Sequence, residues 1–168
     1  MTTSLGVDQK LFRALLRRHA AGVVVVTAPG RPPAGFTATS FTSVSLEPPL
    51  VSFCIANQAS ARRAVEAAPV VAVHLLGADQ APVARVFATR GIDRLAAHGA
   101  WTVGPQGVPL LDSVEARVVC RVVRRMPAGD HTIVLCAVES GEHGPDEQAA
   151  PLVYHAGQYL APGTWRNR

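Results

Sequence analysis

With 168 residues, 48% hydrophobic and 17% charged, the chain fits one domain and can bury about 70% of its unfolded surface without staples. Its formal charge of +4 rests on fifteen Arg and the single Lys10, and the Arg pairs 17/18, 62/63 and 124/125 are far apart in sequence. With only nine aromatic residues, this scatter argues against a nucleic-acid platform and suits small anionic partners.

Gln9 to Ala20 places Leu11, Phe12, Leu15, Leu16 and Ala20 at helical spacing, opposite Arg13, Arg17 and Arg18. Asp8 is the expected N-cap and Gly22 the stop. Val23 to Thr27 is β-branched and reads as a strand buried on both faces, and residues 29–33 (Pro-Gly-Arg-Pro-Pro) are a loop. Residues 36–49 follow as one hydroxyl-rich strand stopped by Pro48-Pro49, and Leu50 to Ile55 is another buried strand. Ser60 is expected to cap a helix from Ala61 to Ala68, ended by Pro69. Val70 to Leu76 reads as a strand, and Asp79 as the cap of a helix carrying Val83, Val86 and Phe87.

Gly91 to Gly107 is mixed and loop-like, with Trp101 as its anchor. Ser113 to Arg125 and His131 to Ser140 form a hairpin across residues 126–130. Residues 141–149 read as an acidic surface loop, Leu152 to Tyr159 as a final strand, and 161–168 as a loose tail. Six or seven strands with short helices between some of them indicate a mainly β fold, a barrel with peripheral helices; helices do not alternate with strands after residue 100. A single domain over 1–168, with its core at about 9–160, is expected.

The chemistry-bearing residues fall into three groups. In the hydroxyl strand, Thr37, Thr39, Ser43 and Ser45 fall on one side and Ala38, Ser40, Thr42 and Val44 on the other. Two readings compete: an exposed edge strand that uses Thr for its β propensity, or a surface of donors and acceptors for a planar polar ligand. Asn57-Gln58-Ala59-Ser60-Ala61-Arg62-Arg63 reads either as an ordinary capped helix with solvated Arg or as an anion site. Gly129-Asp130-His131 is a turn whose Asp could orient a ligand-facing His, or a turn Asp beside an incidental strand His; His155 has the same ambiguity.

Other chemistries lack their signatures. The six His show no metal-ligand spacing, and no phosphate-cradling loop, Gly-x-Gly-x-x-Gly or Gly-x-Ser-x-Gly is present. Cys54, Cys120 and Cys136 sit singly in apolar runs and read as buried thiols in a reducing compartment. No apolar run reaches the ~18 residues of a membrane span, and residues 1–6 have no signal-peptide pattern, so a soluble cytoplasmic protein is expected.

Taken in order, several segments resemble the short-chain flavin reductase family. They are Phe12-Arg13, Ala21 to Thr27, and the run Gly35-Phe36-Thr37-Ala38-Thr39-Ser40-Phe41-Thr42-Ser43-Val44-Ser45-Leu46-Glu47-Pro48-Pro49-Leu50. Gln80, Phe87-Ala88, Gly107 to Leu111, Gly129-Asp130-His131 and Pro151 to Tyr159 complete the match. The resemblance implies an FMN-binding split β-barrel, Greek-key-like, with peripheral α-helices. It also implies a homodimer that reduces FMN or FAD with NADH or NADPH and often serves a separate flavin-dependent monooxygenase.

Carried over by position, Thr37, Ala38, Thr39 and Ser40 would line the isoalloxazine. Cys54, Ala56, Asn57, Ser60 and Arg62 would follow the ribityl chain and phosphate. Phe87 would lie near the flavin, and His131, the implied catalytic-site residue, would face the nicotinamide. Two alternatives keep the fold: a flavoprotein with tightly held FMN that reduces another acceptor, and a non-catalytic flavin- or haem-binding module. Two departures from the family stand out: Val134 to Ala137 occupy a stretch where Gly is frequent, and Ala38-Thr39 replaces the commoner Ala-Ser.

Overall fold

The computed structural model describes residues 6–144, 146 and 148–162. Helix α1 (Gln9–Leu16) starts where Asp8 accepts hydrogen bonds from the Lys10 and Leu11 amides at 2.7 and 2.9 Å, as an N-cap should. It ends short of the expected Ala20, and the chain does not bury its apolar side. Leu11, Phe12, Leu15 and Leu16 are all half exposed.

Five strands follow in quick succession: β1 (Ala21–Gly22), β2 (Val24–Ala28), β3 (Ala34–Ala38), β4 (Thr42–Leu46) and β5 (Pro49–Ala56). Then come α2 (Arg62–Ala67), β6 (Val70–Leu75), α3 (Ala81–Ala88), α4 (Arg94–His98), β7 (Trp101–Val103) and β8 (Pro109–Leu111). The long hairpin β9 (Ala116–Ala128) and β10 (His131–His143) precedes β11 (Val153–His155) and β12 (Gln158–Leu160). Seven of these strands make one antiparallel sheet, in the order β3-β2-β6-β9-β10-β5-β4. Strands β1, β11 and β12 form a small sheet beside it, and β7 pairs with β8.

The pleat of β2 explains why it is buried throughout. Val24 and Val26 enter a core with Phe36, Phe53, Ile55, Val65, Val71 and Val73; Val23 and Val25 face a second core with Ala84, Phe87, Leu95 and Leu111. Buried strands of this kind carry apolar residues on both faces. In β5 only Val51, Phe53 and Ile55 are buried, which leaves Ser52, Cys54 and Ala56 on the opposite face. Cys120 and Cys136 are fully buried, and burial pushes both thiols up to about 12.

The largest departure from expectation concerns the hydroxyl-rich segment. It is two strands, not one, and they occupy opposite edges of the seven-stranded sheet. Thr39-Ser40-Phe41 carries the chain across. Ser40 Oγ accepts from the Cys54 amide at 2.8 Å and donates to the Cys54 carbonyl at 3.4 Å, which fastens the crossover to β5. The sheet thus curls until its edges approach without pairing into a closed ladder, a split barrel. Pro48-Pro49 does not end the sheet pairing either: Leu46 pairs with Pro49, so Glu47 and Pro48 are the turn of a tight hairpin.

Two expected caps are absent. Ala61, not Ser60, precedes α2, and no side chain caps it. Tight turns from Ala59 to Ala56 and from Arg62 to Ala59 lead straight from β5 into the helix, so Ala61 is already αR and the extended geometry a side-chain cap needs does not arise. At α3 the cap position is Gln80, not Asp79. The Gln80 side chain instead joins the Gly77 amide to the Ser113 carbonyl, and a proline in the first turn removes one donor that needs capping.

Residues 91–107 hold more structure than a loop. Asp93 caps α4 by accepting from the Ala96 amide at 3.0 Å, and Gly99 closes it in the left-handed conformation at φ 78°. Trp101 packs, half buried, against the second core. The hairpin turn is only Gly129-Asp130, with Gly129 at φ 63° as a two-residue hairpin requires at that place. The expected final strand is itself a hairpin, β11–β12, turning at Ala156 and Gly157 with φ of 52° and 90°. In the expected acidic loop, β10 runs on to His143, while residues 145 and 147, like 163–168 of the tail, lie outside the described residues. Among the described residues no helix is long and apolar enough to cross a membrane.

Candidate functional site

The seam where the sheet's edges approach opens into a cleft of about 930 Å³. Phe36 to Ser40 of β3 and the crossover form one wall. Cys54, Ala56 and Asn57 to Ser60 form the next, with Asp130 and His131 at the hairpin end, Phe87 to Gly91 and Arg94 opposite, and Arg13 reaching in from α1. Ten of the eleven residues expected at the site therefore meet here: Thr37, Ala38, Thr39, Ser40, Cys54, Ala56, Asn57, Ser60, Phe87 and His131.

Strand register explains part of this gathering. Cys54 and Ala56 lie on the face of β5 turned away from its buried residues, and β10 sets His131 directly opposite Ala56. The aromatic floor depends on a glycine. A Cβ on Gly35 would stand 2.6 Å from Phe87 Cε1, so only glycine lets the fully buried Phe87 ring lie against β3.

Several hydroxyls expected to meet a ligand are already engaged. Thr37 Oγ1 donates to the Ala84 carbonyl at 2.6 Å and ties β3 to α3, while Ser40 holds the crossover to Cys54. Both retain lone pairs but have spent their donor within the fold. Thr39 and Ser60 side chains make no hydrogen bond with any described residue, and both line the cleft.

Asn57 braces the turn that carries His131. Its Nδ2 donates to the Gly129 carbonyl at 3.2 Å, its Oδ1 accepts from Thr132 Oγ1 at 3.2 Å, and its amide donates to the Asp130 carbonyl at 2.9 Å. Arg62, the eleventh expected residue, does not line the cleft. Its Nη1 donates to the Asn57 carbonyl at 3.1 Å while Nε pairs with Glu66 at 2.6 Å; it supports the brace from behind.

His131 Nδ1 donates to Asp130 Oδ1 at 2.7 Å, and that hydrogen bond holds the Asp130 carboxyl below its ordinary value. With Nδ1 so committed, Nε2 is left to face a ligand, as an acceptor when neutral and a donor when protonated. His155, the other candidate, lies on β11 in the small sheet and does not line the cleft. None of Val134 to Ala137 lines it either: Val134 and Cys136 enter the core, so the absence of Gly in that stretch leaves the cleft wall unchanged. Sequence reasoning quoted Arg13 only on the polar side of the first helix and as part of the family match and gave it no role, and it missed Arg90 and Arg94, which no local motif marks. Among the described residues no three His, Cys, Asp or Glu side chains gather as a metal site requires.

A family model described as a flavin reductase like domain matches residues 16–162. The chain belongs to the flavin reductase family. It is 45% identical to the NADH:FMN oxidoreductase of Rhodococcus qingshengii over 162 residues, 95% of this chain and 84% of that protein. Among solved structures it resembles the NADH:FAD oxidoreductase SgcE6 of Streptomyces globisporus C-1027 in complex with NAD and FAD fragments, at TM-score 0.84 and 35% identity over 94% of this chain and 95% of that one. It also resembles BorF, the flavin reductase component of a bacterial two-component tryptophan halogenase, at TM-score 0.82 and 34% identity over 92% and 98%. The flavin reductase fold thus accounts for the curled sheet and the open seam.

Proposed function

We propose that this chain is a cytoplasmic NAD(P)H-dependent flavin reductase that uses FMN or FAD, acts as a homodimer and supplies reduced flavin to a separate flavin-dependent monooxygenase. The observation that carries the reading is the cleft itself: an apolar floor at Phe36, Ala38 and Phe87, a polar rim, and arginines at its edge. That donor set fits a flat heteroaromatic ring with a phosphate-bearing tail. The chemistry would be hydride transfer from nicotinamide C4 to flavin N5, which asks the protein to stack two rings and exclude water.

Each side chain then has a limited task. Phe87 and Ala38 form the apolar bed. Thr39 and Ser60 offer free hydroxyls, and Cys54 and Ala56 present the outer face of β5. His131 Nε2, oriented by Asp130 and braced through Asn57, holds a polar group of the nicotinamide at the mouth. The relatives named as oxidoreductases and as a reductase component support the activity and the partner class.

Purified protein should oxidise NADH or NADPH only when FMN or FAD is added. His131→Ala should raise the KM for the nicotinamide by about tenfold, the loss of one hydrogen bond to a charged or strongly polar group, with the flavin KM within about twofold of wild type. Unchanged nicotinamide KM and kcat would rule out a nicotinamide contact for His131. No flavin-dependent oxidation with any pairing would remove the reductase reading.

A further inference from the structure

The cleft holds more positive charge than its own carboxylate balances. Arg13, Arg90 and Arg94 line it against a single acid, Asp130, which is already bonded to His131. Arg94 is committed to the fold: its Nε donates to the Thr89 carbonyl at 2.7 Å and its Nη1 to the Gly35 carbonyl at 2.8 Å. The Arg13 and Arg90 guanidiniums make no hydrogen bond or ion pair with any described residue.

Both residues are exposed, but both line the cleft. Arg63 and Arg124 are unpartnered too, but they sit on open surface outside the cleft. Burial, with Arg90 beside it, lowers the Arg94 guanidinium, and Arg13 adds a small lowering to the Asp130 carboxyl, which the His131 hydrogen bond lowers most. Like charges gathered around a concavity focus a field that only an anion can satisfy.

We infer that Arg13 and Arg90 clamp the pyrophosphate of a dinucleotide in the cleft, and so favour dinucleotides over the corresponding mononucleotides. This rests on the reductase reading of the cleft. The two guanidiniums come from separate elements, α1 and the α3–α4 connection. A bridging diphosphate spreads its two charges over two phosphorus centres and so can meet two forks that reach in from separate elements, whereas a terminal monophosphate gathers a charge of about −1.5 to −2 at one centre. The cleft, at about 930 Å³, lies at the upper end of ligand-pocket sizes and has room for more than a mononucleotide. Both FAD and NAD(P)H carry this pyrophosphate, so the shared chemistry is the linked adenosine diphosphate unit.

The test compares Arg13→Gln, Arg90→Gln and the double variant with wild type in two arms: FAD against FMN at fixed NADH, and NADH against reduced nicotinamide mononucleotide at fixed FMN. The clamp predicts that KM for the dinucleotide in one arm rises about tenfold per variant, the loss of a charge-assisted hydrogen bond. KM for the matching mononucleotide should stay within about twofold, and the arm that responds identifies the source. Raising salt should weaken dinucleotide use by wild type more than by the variants.

Dinucleotide KM values within about twofold of wild type in both arms would overturn the clamp. So would equal rises for mononucleotide and dinucleotide. Circular dichroism and thermal transitions would establish that the variants fold; neither side chain bonds to the fold. If wild type shows no turnover with any pair, the reductase reading fails separately, and fluorescence titrations of FAD, FMN, NADH and the reduced mononucleotide still decide the clamp by the same comparison.

Discussion

His74 offers the most quantitative check on the packing behind the cleft. It is fully buried on β6, donates from Nδ1 to the Val25 carbonyl at 3.1 Å and accepts from the Leu111 amide at Nε2 at 3.0 Å. The Leu111 donor fixes the neutral tautomer, because protonation would set two N–H groups against each other. Burial, opposed by the Val25 carbonyl and reinforced by Arg117 and His98, lowers its pKa from 6.5 to about 4.

A depressed His pKa means that the unfolded chain binds the proton first. The full stability is therefore present above pH 6.5 and is lost as pH falls toward 4. The gap of about 2.5 pH units corresponds to roughly 3 kcal/mol, lost at ~1.4 kcal/mol per pH unit. His74→Gln keeps a donor and an acceptor but cannot titrate. Urea unfolding of both proteins at equal concentration, from pH 7.5 to 4, reads the difference directly. Wild type should lose about 3 kcal/mol relative to the variant over that range. Parallel curves within about 0.5 kcal/mol would show that His74 titrates normally and that the account of its burial is wrong.

Three further outcomes follow from named contacts. Asn57→Ala removes both side-chain hydrogen bonds that brace the His131 turn, and should lower kcat/KM for the nicotinamide about tenfold while flavin affinity, read by fluorescence titration, changes little. Gly35→Ala would push a methyl to 2.6 Å from the Phe87 ring; overpacking of this kind costs about 1–3 kcal/mol, seen as a lower urea midpoint together with weaker flavin binding. Arg125 donates to the carbonyls of Val65 and Ala68 at the end of α2. Arg125→Ala should lower the thermal midpoint by the equivalent of about 1–3 kcal/mol, and Arg125→Lys should recover little of it, since an ammonium lacks the planar fork.

Much of the fold was legible because it depends on short-range patterns. The β-branched run at 23–27, the apolar run from Leu50 to Ile55 and the hairpin signal at 126–130 each specify their own local geometry; the structure keeps these strands, but buries only alternate residues of the second and narrows the turn to Gly129-Asp130. The helix at Arg94–His98 was legible in principle: Asp93 before it and Gly99 after it are ordinary start and stop residues. Its five residues are too few for hydrophobic periodicity to stand out. Ser60 and Asp79 misled for the opposite reason, since a good capping residue caps only if the backbone before the helix is extended, and that depends on how the previous strand ends.

By itself the sequence determined most of the strands and, through the ordered segments from Phe12 to Tyr159, the family and ten of the residues that meet at the cleft. Tertiary structure decided what those residues do there. The hydroxyl segment became two strands on opposite sheet edges because the sheet curls, and Thr37 and Ser40 serve there as ties within the fold, to α3 and to β5. The grouping of Arg13, Arg90 and Arg94 is likewise invisible along the chain. Charge has no periodicity that records which distant segment it will face; only folding brings like charges together and leaves two of them for an anion.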